Sequence, residues 1–346
     1  MKSTLVGASI LALTAGAALA GGIDRSGQGV NILFEDGDFA QFSYTGANPN
    51  VSGSGAGLGD HTDVANRYYT PSFGYKHTVN DALDIAIIYD QPFGADILYT
   101  AAPFAGGGAD ISTHGITGLV RYKLDNGLSF YGGARGVKAG GTITSSLGLL
   151  DAQGDYDFGG VFGVAYEKPE IALRAALTYA TAITSSLEGT HNVVDPRLFD
   201  VDFPESVNLD LQTGVAPGTL VFATVRWVGW DGFNLTTSDG EWVSFDDNTI
   251  TYTLGVGRQI NDKLSLALSA GYEKSTGKET TTLLAPTSGS TSIGIAATYQ
   301  ISERFSISGG VSYIWLGDTF YDAGGPILNF QDNTAIGAGV RVGMHF

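Results

Sequence analysis

A two-residue alternation of apolar with small or polar side chains, recurring from residue 38 to the end, constrains this chain most. In the last stretch Ala338, Val340, Val342, Met344 and Phe346 fall on one face, and Gly337, Gly339, Arg341, Gly343 and His345 on the other. Successive side chains of a strand point to opposite faces, so such a run reads as a β-strand with one apolar side. The pattern returns upstream. Phe305, Ile307, Val311, Tyr313 and Trp315 oppose Ser306, Ser308, Gly310 and Ser312, and Leu264, Leu266, Leu268, Ala270 and Tyr272 oppose Ser265, Ala267, Ser269, Gly271 and Glu273.

Alternation by itself also fits a soluble sandwich, whose apolar faces pack on each other. Composition and the N-terminus separate the two. Charged residues are only 15 %, against roughly 25 % in ordinary soluble domains. Mean hydropathy is nevertheless just +0.08, because a membrane strand that alternates lipid-facing with lumen-facing residues cancels in the average. Met1-Lys2, the apolar run from Leu5 to Leu13 and the small-x-small Ala18-Leu19-Ala20 form an expected signal peptide over residues 1–20. There is no cysteine, hence no disulfide framework or thiolate metal site. A net charge of −17 without a basic stripe argues against a nucleic-acid partner.

Short links rich in Asn, Asp, Gly and Pro fall at Asn80-Asp81, Asp125-Asn126-Gly127, Lys168-Pro169-Glu170, Pro217-Gly218, Asn261-Asp262 and Ser302-Glu303. Such residues supply tight reversals. Longer stretches lie between them, near 49–66, 94–112, 139–154, 184–205, 231–248, 276–290 and 317–332. This rhythm requires about fourteen strands, an even number, with short turns on the periplasmic side and long loops outside. The expected fold is therefore an all-β transmembrane antiparallel barrel over residues 38–346. Residues 21–37, which lack the alternation, are left as an N-terminal segment able to plug the lumen.

Together these features resemble the FadL-type outer-membrane transporters of long-chain fatty acids and other hydrophobic compounds. Asn48-Pro49-Asn50-Val51-Ser52-Gly53 is similar to the ascent of that family's first hairpin. Phe203-Pro204-Glu205-Ser206 is similar to its entry to the eighth strand, and Arg226-Trp227-Val228-Gly229-Trp230 to its Arg-Trp-x-x-Trp stretch in the ninth. Where the family's N-terminal hatch usually carries Asn-Pro-Ala, this chain reads Asn31-Ile32-Leu33. The resemblance implies a location in the outer membrane of a Gram-negative bacterium. It further implies capture of a hydrophobic small molecule among the outer loops, passage to a lumen pocket, and lateral release through a kink in the third strand. The surroundings would be outer-membrane lipid and lipopolysaccharide, and the expected transporter is a monomer working by diffusion.

The candidate kink is Gln91-Pro92-Phe93-Gly94, where Pro92 removes a ladder donor and Gly94 permits unusual dihedrals. Period two places Arg121, Arg135, Arg174, Asp210 and Arg226 on the lumen side. An isolated charge in a semi-occluded lumen is costly, so these should form a structural network, or one arginine should be free to bind a carboxylate. Arg226 is the first candidate for that role, followed by Arg135 and Arg174. Leu147 and Leu150 (with Leu149) read as an exposed apolar cluster in the loop after the fifth strand, as do Leu98, Tyr99 and Phe104 after the third. With Phe93, Leu147 and Leu150 are the apolar candidates for meeting substrate. No nucleophile motif, metal-ligand spacing, phosphate loop or dinucleotide fingerprint accompanies the five histidines, so neither catalysis nor a metal or cofactor is expected. The alternative reading is a general porin for small polar solutes.

Overall fold

The computed structural model describes residues 23–192, 195–275 and 279–346. The expected signal peptide and the first two residues of the N-terminal segment lie outside them. Fourteen antiparallel strands form one closed wall. In chain order they are β1 (Phe39–Asn50), β2 (Tyr68–Asn80), β3 (Leu83–Asp90, resumed at Gly94–Leu98), β4 (Gly108–Lys123), β5 (Leu128–Ser145) and β6 (Gly148–Lys168). Next come β7 (Leu173–Ala180, resumed at Ile183–His191) and β8 (Asp195–Phe203, resumed at Ser206–Ala216), followed by β9 (Thr219–Val228) and β10 (Thr249–Gln259). The last four are β11 (Leu264–Glu273), β12 (Ser290–Gln300), β13 (Phe305–Leu316) and β14 (Thr334–His345). Each strand pairs with its sequence neighbours, and β14 closes on β1 from Phe39↔His345 to Asn50↔Thr334. Closure pairs the first strand with the last, so the wall has no terminal edge strand of the kind an open sheet of this length would present for aggregation.

The short links turn as their residue types dictate. Asn80, Asn126 and Asn261 each accept a backbone N–H two residues on through the side-chain carbonyl, and Gly127 and Gly218 take the positive φ that closes their reversals. The alternation sorts the wall into two surfaces. Phe73, Ile87, Phe130, Leu254, Ile295 and Val342 all stand exposed on the outside. Asp84, Thr117, Arg135, Ser269 and Arg341 are buried on the inside. An exposed apolar band around a closed barrel is the surface that hydrocarbon covers.

The structure departs from three expectations. The stretches near 139–154 and 184–205 are mostly wall rather than loop: β5 runs on to Ser145, β6 starts at Gly148, and the second halves of β7 and β8 cover 183–191 and 195–203. Leu150 is therefore not exposed. It faces inward on β6 and is 1 % accessible, while Leu147 sits at the turn, half-buried. Tyr99 is likewise buried, in a cap formed by the 53–61 and 319–330 hairpins. The long connections carry hairpins of their own, including Phe233–Thr237 with Gly240–Phe245.

Candidate functional site

The inside of the barrel divides into two halves of opposite character. Toward the long loops, inward positions of β5 to β8 and the 233–245 hairpin build one apolar cluster, with Val137, Leu150, Leu187, Val201, Phe203 and Trp230 all buried. Within it lies a cavity of about 50 Å³ walled by Ile143, Leu150, Leu187, Phe199, Phe233 and Leu235 among others, and no polar side chain takes part in its lining. A second space of about 20 Å³ shares Ile23, Ile111, Phe233 and Leu235 with it. A void of this kind stays dry, because water there would find no hydrogen-bonding partner.

Toward the short turns the lumen is polar and is occupied by the segment from Asp24 to Gly37. Its contacts come from the arginines that period two turned inward. Arg226 donates through Nε to Asp24 Oδ2 at 2.7 Å and through Nη1 to Asn208 at 2.8 Å. Arg135 bonds the Gln28 side-chain carbonyl and, at 2.8 Å, Thr117. Arg121 donates to Leu33 O at 3.0 Å and is ion-paired with Glu167. Arg174 reaches Asn31 at 3.5 Å, and its guanidinium and that of Arg121 lie 4.7 and 4.5 Å from the Phe34 ring centre. Ile32, Leu33 and Phe34 form the short 3-10 turn that packs against inward apolar residues of β3 to β7. Of the expected carboxylate ligands, Arg226 and Arg135 thus already have partners in the N-terminal segment, and those partners come from a stretch where no periodicity could have announced them.

The opposite side of the segment leaves a polar cavity of about 180 Å³, bordered by β1, β2, β8 to β10 and Arg341 of β14.

The kink in β3 joins the halves. Up to Tyr89↔Phe73 the strand pairs with β2, and across residues 91–93 the ladder stops. After Gly94 the chain pairs with β4 and meets the β2 side at the Ala65↔Ile97 bridge, so, among the described residues, 68–72 of β2 face no third-strand partner. The interrupted chain turns inward instead. Arg25 N donates to Pro92 O and Gly94 N to Ile23 O, each at 2.8 Å. Thr113 Oγ1 accepts from Phe93 N and donates to Phe93 O. Phe93 is delivered into the apolar cluster, stacked on Phe203 at 4.8 Å and edge-on to Trp230. Arg25 crosses the interruption, ion-paired with Asp96 and 4.0 Å from the Tyr68 ring centre. Its guanidinium lies close over Gly94, where an added Cβ would meet the flexible end of Arg25 at 2.7 Å and displace it; Gly94 itself does not take the positive φ that its expected dihedral freedom would have served.

The sequence reading missed Phe199, Val201, Phe203, Phe233 and Leu235. The first three were available from alternation, since Asp200 and Asp202 separate them. Those carboxylates made the stretch look like a loop.

This architecture defines a class: a closed fourteen-strand barrel with a broken third strand and an inward N-terminal segment. Neither a protein-family model nor a curated protein sequence matches the chain. Solved structures do, and the fold they share with it is the FadL-type transporter barrel. A Pseudomonas aeruginosa FadL homologue superposes with a TM-score of 0.74 over 91 % of this chain and 91 % of its own, at 14 % identity. The P. putida toluene transporter TodX gives 0.66 over 96 % and 94 %, at 13 % identity. The Ralstonia pickettii toluene transporter TbuX gives 0.61 over 90 % of each chain, at 11 % identity.

Proposed function

We propose that this chain is an outer-membrane channel through which hydrophobic small molecules, long-chain fatty acids among them, diffuse down their gradient without a cofactor. The observation that carries this reading is the dry apolar cavity, connected through Phe93 to an interruption in the wall. An apolar solute gains by leaving water for such a lining, at roughly 25 cal/mol per Å² buried. The cavity is smaller than the ~150 Å³ that holds a benzene-sized guest, so entry requires the lining hairpins to move apart. The outward apolar band supports placement in a bilayer. In this reading the residues 23–37 act as the plug, with Arg226, Arg135 and Arg174 holding it. The gap beside Gln91, Pro92 and Gly94 is the lateral exit, with Arg25 bolted across it.

The test is equilibrium binding and vesicle uptake of radiolabelled oleate and toluene by the purified protein and by Ala152→Trp, which fills the cavity from the β6 side. Saturable binding that falls at least about tenfold in the variant, with the barrel still folded by its heat-modifiable mobility, is the expected result. Unchanged binding would move the site elsewhere. A large, steady ion conductance of the intact protein in planar bilayers would favour the porin alternative instead.

A further inference from the structure

On the outer wall, the exposed apolar band ends toward the long loops in a patch of hydrogen-bond donors that spans four strands. Lys138 of β5 stands directly opposite His114 of β4 and Tyr156 of β6. Val137 and Ala139 on either side of Lys138 are buried toward the lumen, so period two turns Lys138 outward. Residues opposite each other in a ladder bring their Cβ atoms to about 4.5–5.5 Å, which makes the three side chains neighbours. Tyr89 of β3 joins them, its hydroxyl 2.8 Å from His114 Nδ1 and its ring stacked on the imidazole. With that hydroxyl donating, the ring proton of His114 is on Nε2 and free to donate in turn. Lys138 makes no hydrogen bond or ion pair among the described residues, although Asp155 is exposed in the bulge beside Tyr156.

Below these donors the wall has a notch. Gly118, Ala134 and Gly160 oppose one another across β4, β5 and β6, and no atom lies within 4 Å of the place where Gly118 would carry a Cβ. The outward rows on either side are ridges. Ile116 and Phe158 stand above the notch and Val120 and Phe162 below it, all exposed, Phe158 by 73 %.

Bulk hydrocarbon would cover the notch and its ridges but would leave the donors above them unmatched. A chain of net charge −17 repels anions in general, so an ammonium with two tyrosine hydroxyls and an imidazole N–H around it is a local exception, complementary to an anion rich in acceptor oxygens. We propose that this face is a docking surface for one phosphorylated lipid, the lipid A part of lipopolysaccharide, with a phosphate at Lys138 and an acyl chain in the notch. The inference rests on the bilayer placement in the proposed function. In that placement the long loops face outward, and the apolar rim beneath them meets the outer leaflet, where lipopolysaccharide takes the place of phospholipid. A phosphomonoester carries between one and two negative charges at neutral pH and has three acceptor oxygens, enough for Lys138 and two of its neighbours together. The notch lies on the far side of β3 from the gap beside β2, so the docked lipid is separate from the lateral exit. A ligand held by the folded barrel alone stabilises it, here next to the place where the ladder between β2 and β3 stops.

The experiment is native mass spectrometry of the full chain in a neutral maltoside, titrated with diphosphoryl lipid A, with lipid A stripped of both phosphates, and with phosphatidylethanolamine. The proteins compared are wild type, Lys138→Gln, Lys138→Arg and Ala134→Leu, the last of which fills the notch. Wild type should retain one diphosphoryl lipid A per chain, about tenfold or more tightly than the stripped form, as a charge-assisted bond implies. Lys138→Gln should erase that preference, Lys138→Arg should keep it, and Ala134→Leu should weaken both forms of lipid A. Toluene binding should be the same in all four proteins, which separates this test from that of the transport reading. Equal affinity for the two forms in wild type would overturn the site, as would a preference that survives in Lys138→Gln. Phosphatidylethanolamine held as tightly as lipid A, and lost in Lys138→Gln, would overturn the assignment to lipid A in favour of phosphate headgroups at large. Failure of every lipid to bind while toluene does would overturn the docking surface and leave the transport reading standing. Should Ala134→Leu not fold, the two lysine variants carry the test.

Discussion

The two halves of the lumen solve the same problem, filling a barrel of fourteen strands, by opposite means. On the long-loop side the filling is aromatic and aliphatic, contributed by the wall itself, and it leaves a small dry void. On the short-turn side the filling is a separate piece of chain held by ion pairs and hydrogen bonds from buried arginines, and it leaves a polar void. Apolar packing is non-directional and tolerates a hole at a moderate cost. A charge network has fixed partners and fails when one of them is removed. The lesson is that a wall can be nearly uniform in fold yet encode two compartments, provided the inward positions change chemistry along the strands.

The comparison breaks most sharply at Asp24. Asp24→Ala leaves the Arg226 guanidinium buried without its carboxylate, a change that costs about 3–5 kcal/mol in comparable buried pairs. It should also raise ion conductance in planar bilayers by loosening the segment at its start. Replacing both partners, Asp24→Leu with Arg226→Met, should recover most of the stability, because no orphan charge remains. Urea unfolding in detergent micelles reads the first effect. If the single and double variants are equally destabilised, the polar half is held by shape rather than by charge.

A smaller effect, of different sign for stability and binding, is expected in the apolar half. Leu187 lines the dry void and is buried. Leu187→Ala should cost about 2–3 kcal/mol, toward the low end for a buried leucine, because a side chain that already borders a void has fewer packing contacts to lose. The enlarged void should at the same time tighten binding of a bulky hydrocarbon. Calorimetry and toluene titration on one preparation would check both, and a loss of stability with no gain in binding would show that the void is packing error rather than a compartment.

The wall was legible in the sequence because period two is a direct consequence of backbone geometry, and closure follows from counting turns. Pro92 and Gly94 marked the break in β3 because each alters the ladder by its own covalent structure. The contents of the lumen were less legible, for physical reasons. Residues 23–37 have no regular element, so nothing in their order says which wall side chain each will meet. Asp24 and Gln28 find Arg226 and Arg135 across about 200 and 107 residues of chain. The upper parts of β6 to β8 read as loop because Asp151, Asp155, Asp200 and Asp202 face outward there in place of apolar side chains. Beyond the apolar band an outward strand position meets water, and the inward positions alone keep the pattern.

The outermost contrast lies above the apolar half, where charged side chains tie the hairpins that cover the void. Arg197 on β8 donates through Nε and Nη2 to the two oxygens of Asp239 at 2.6 and 2.8 Å. His191 Nδ1 stands 3.3 Å from the same carboxylate while its Nε2 bonds Leu147 O at 2.7 Å. Chiefly through the Arg197 hydrogen bonds, against some burial, the Asp239 carboxyl is brought down to about 2 from its ordinary value of 3.8. A carboxylate more acidic in the folded state stabilises it above the unfolded pKa and ceases to do so as pH falls through the folded one. The tie should therefore hold at neutral pH, weaken from about pH 4, and be lost near pH 2. Proteolytic cleavage within the 237–240 turn, followed from pH 5 to pH 2 with an acid-stable protease, reads this window. In Arg197→Gln the onset should move up toward the ordinary carboxylate range, and in His191→Gln it should shift less, since the imidazole contributes after the guanidinium. Profiles that coincide for wild type and Arg197→Gln would mean that the hairpins over the apolar void are held by the aromatic packing beneath them, Trp242 against His191 included, and not by the charges on top.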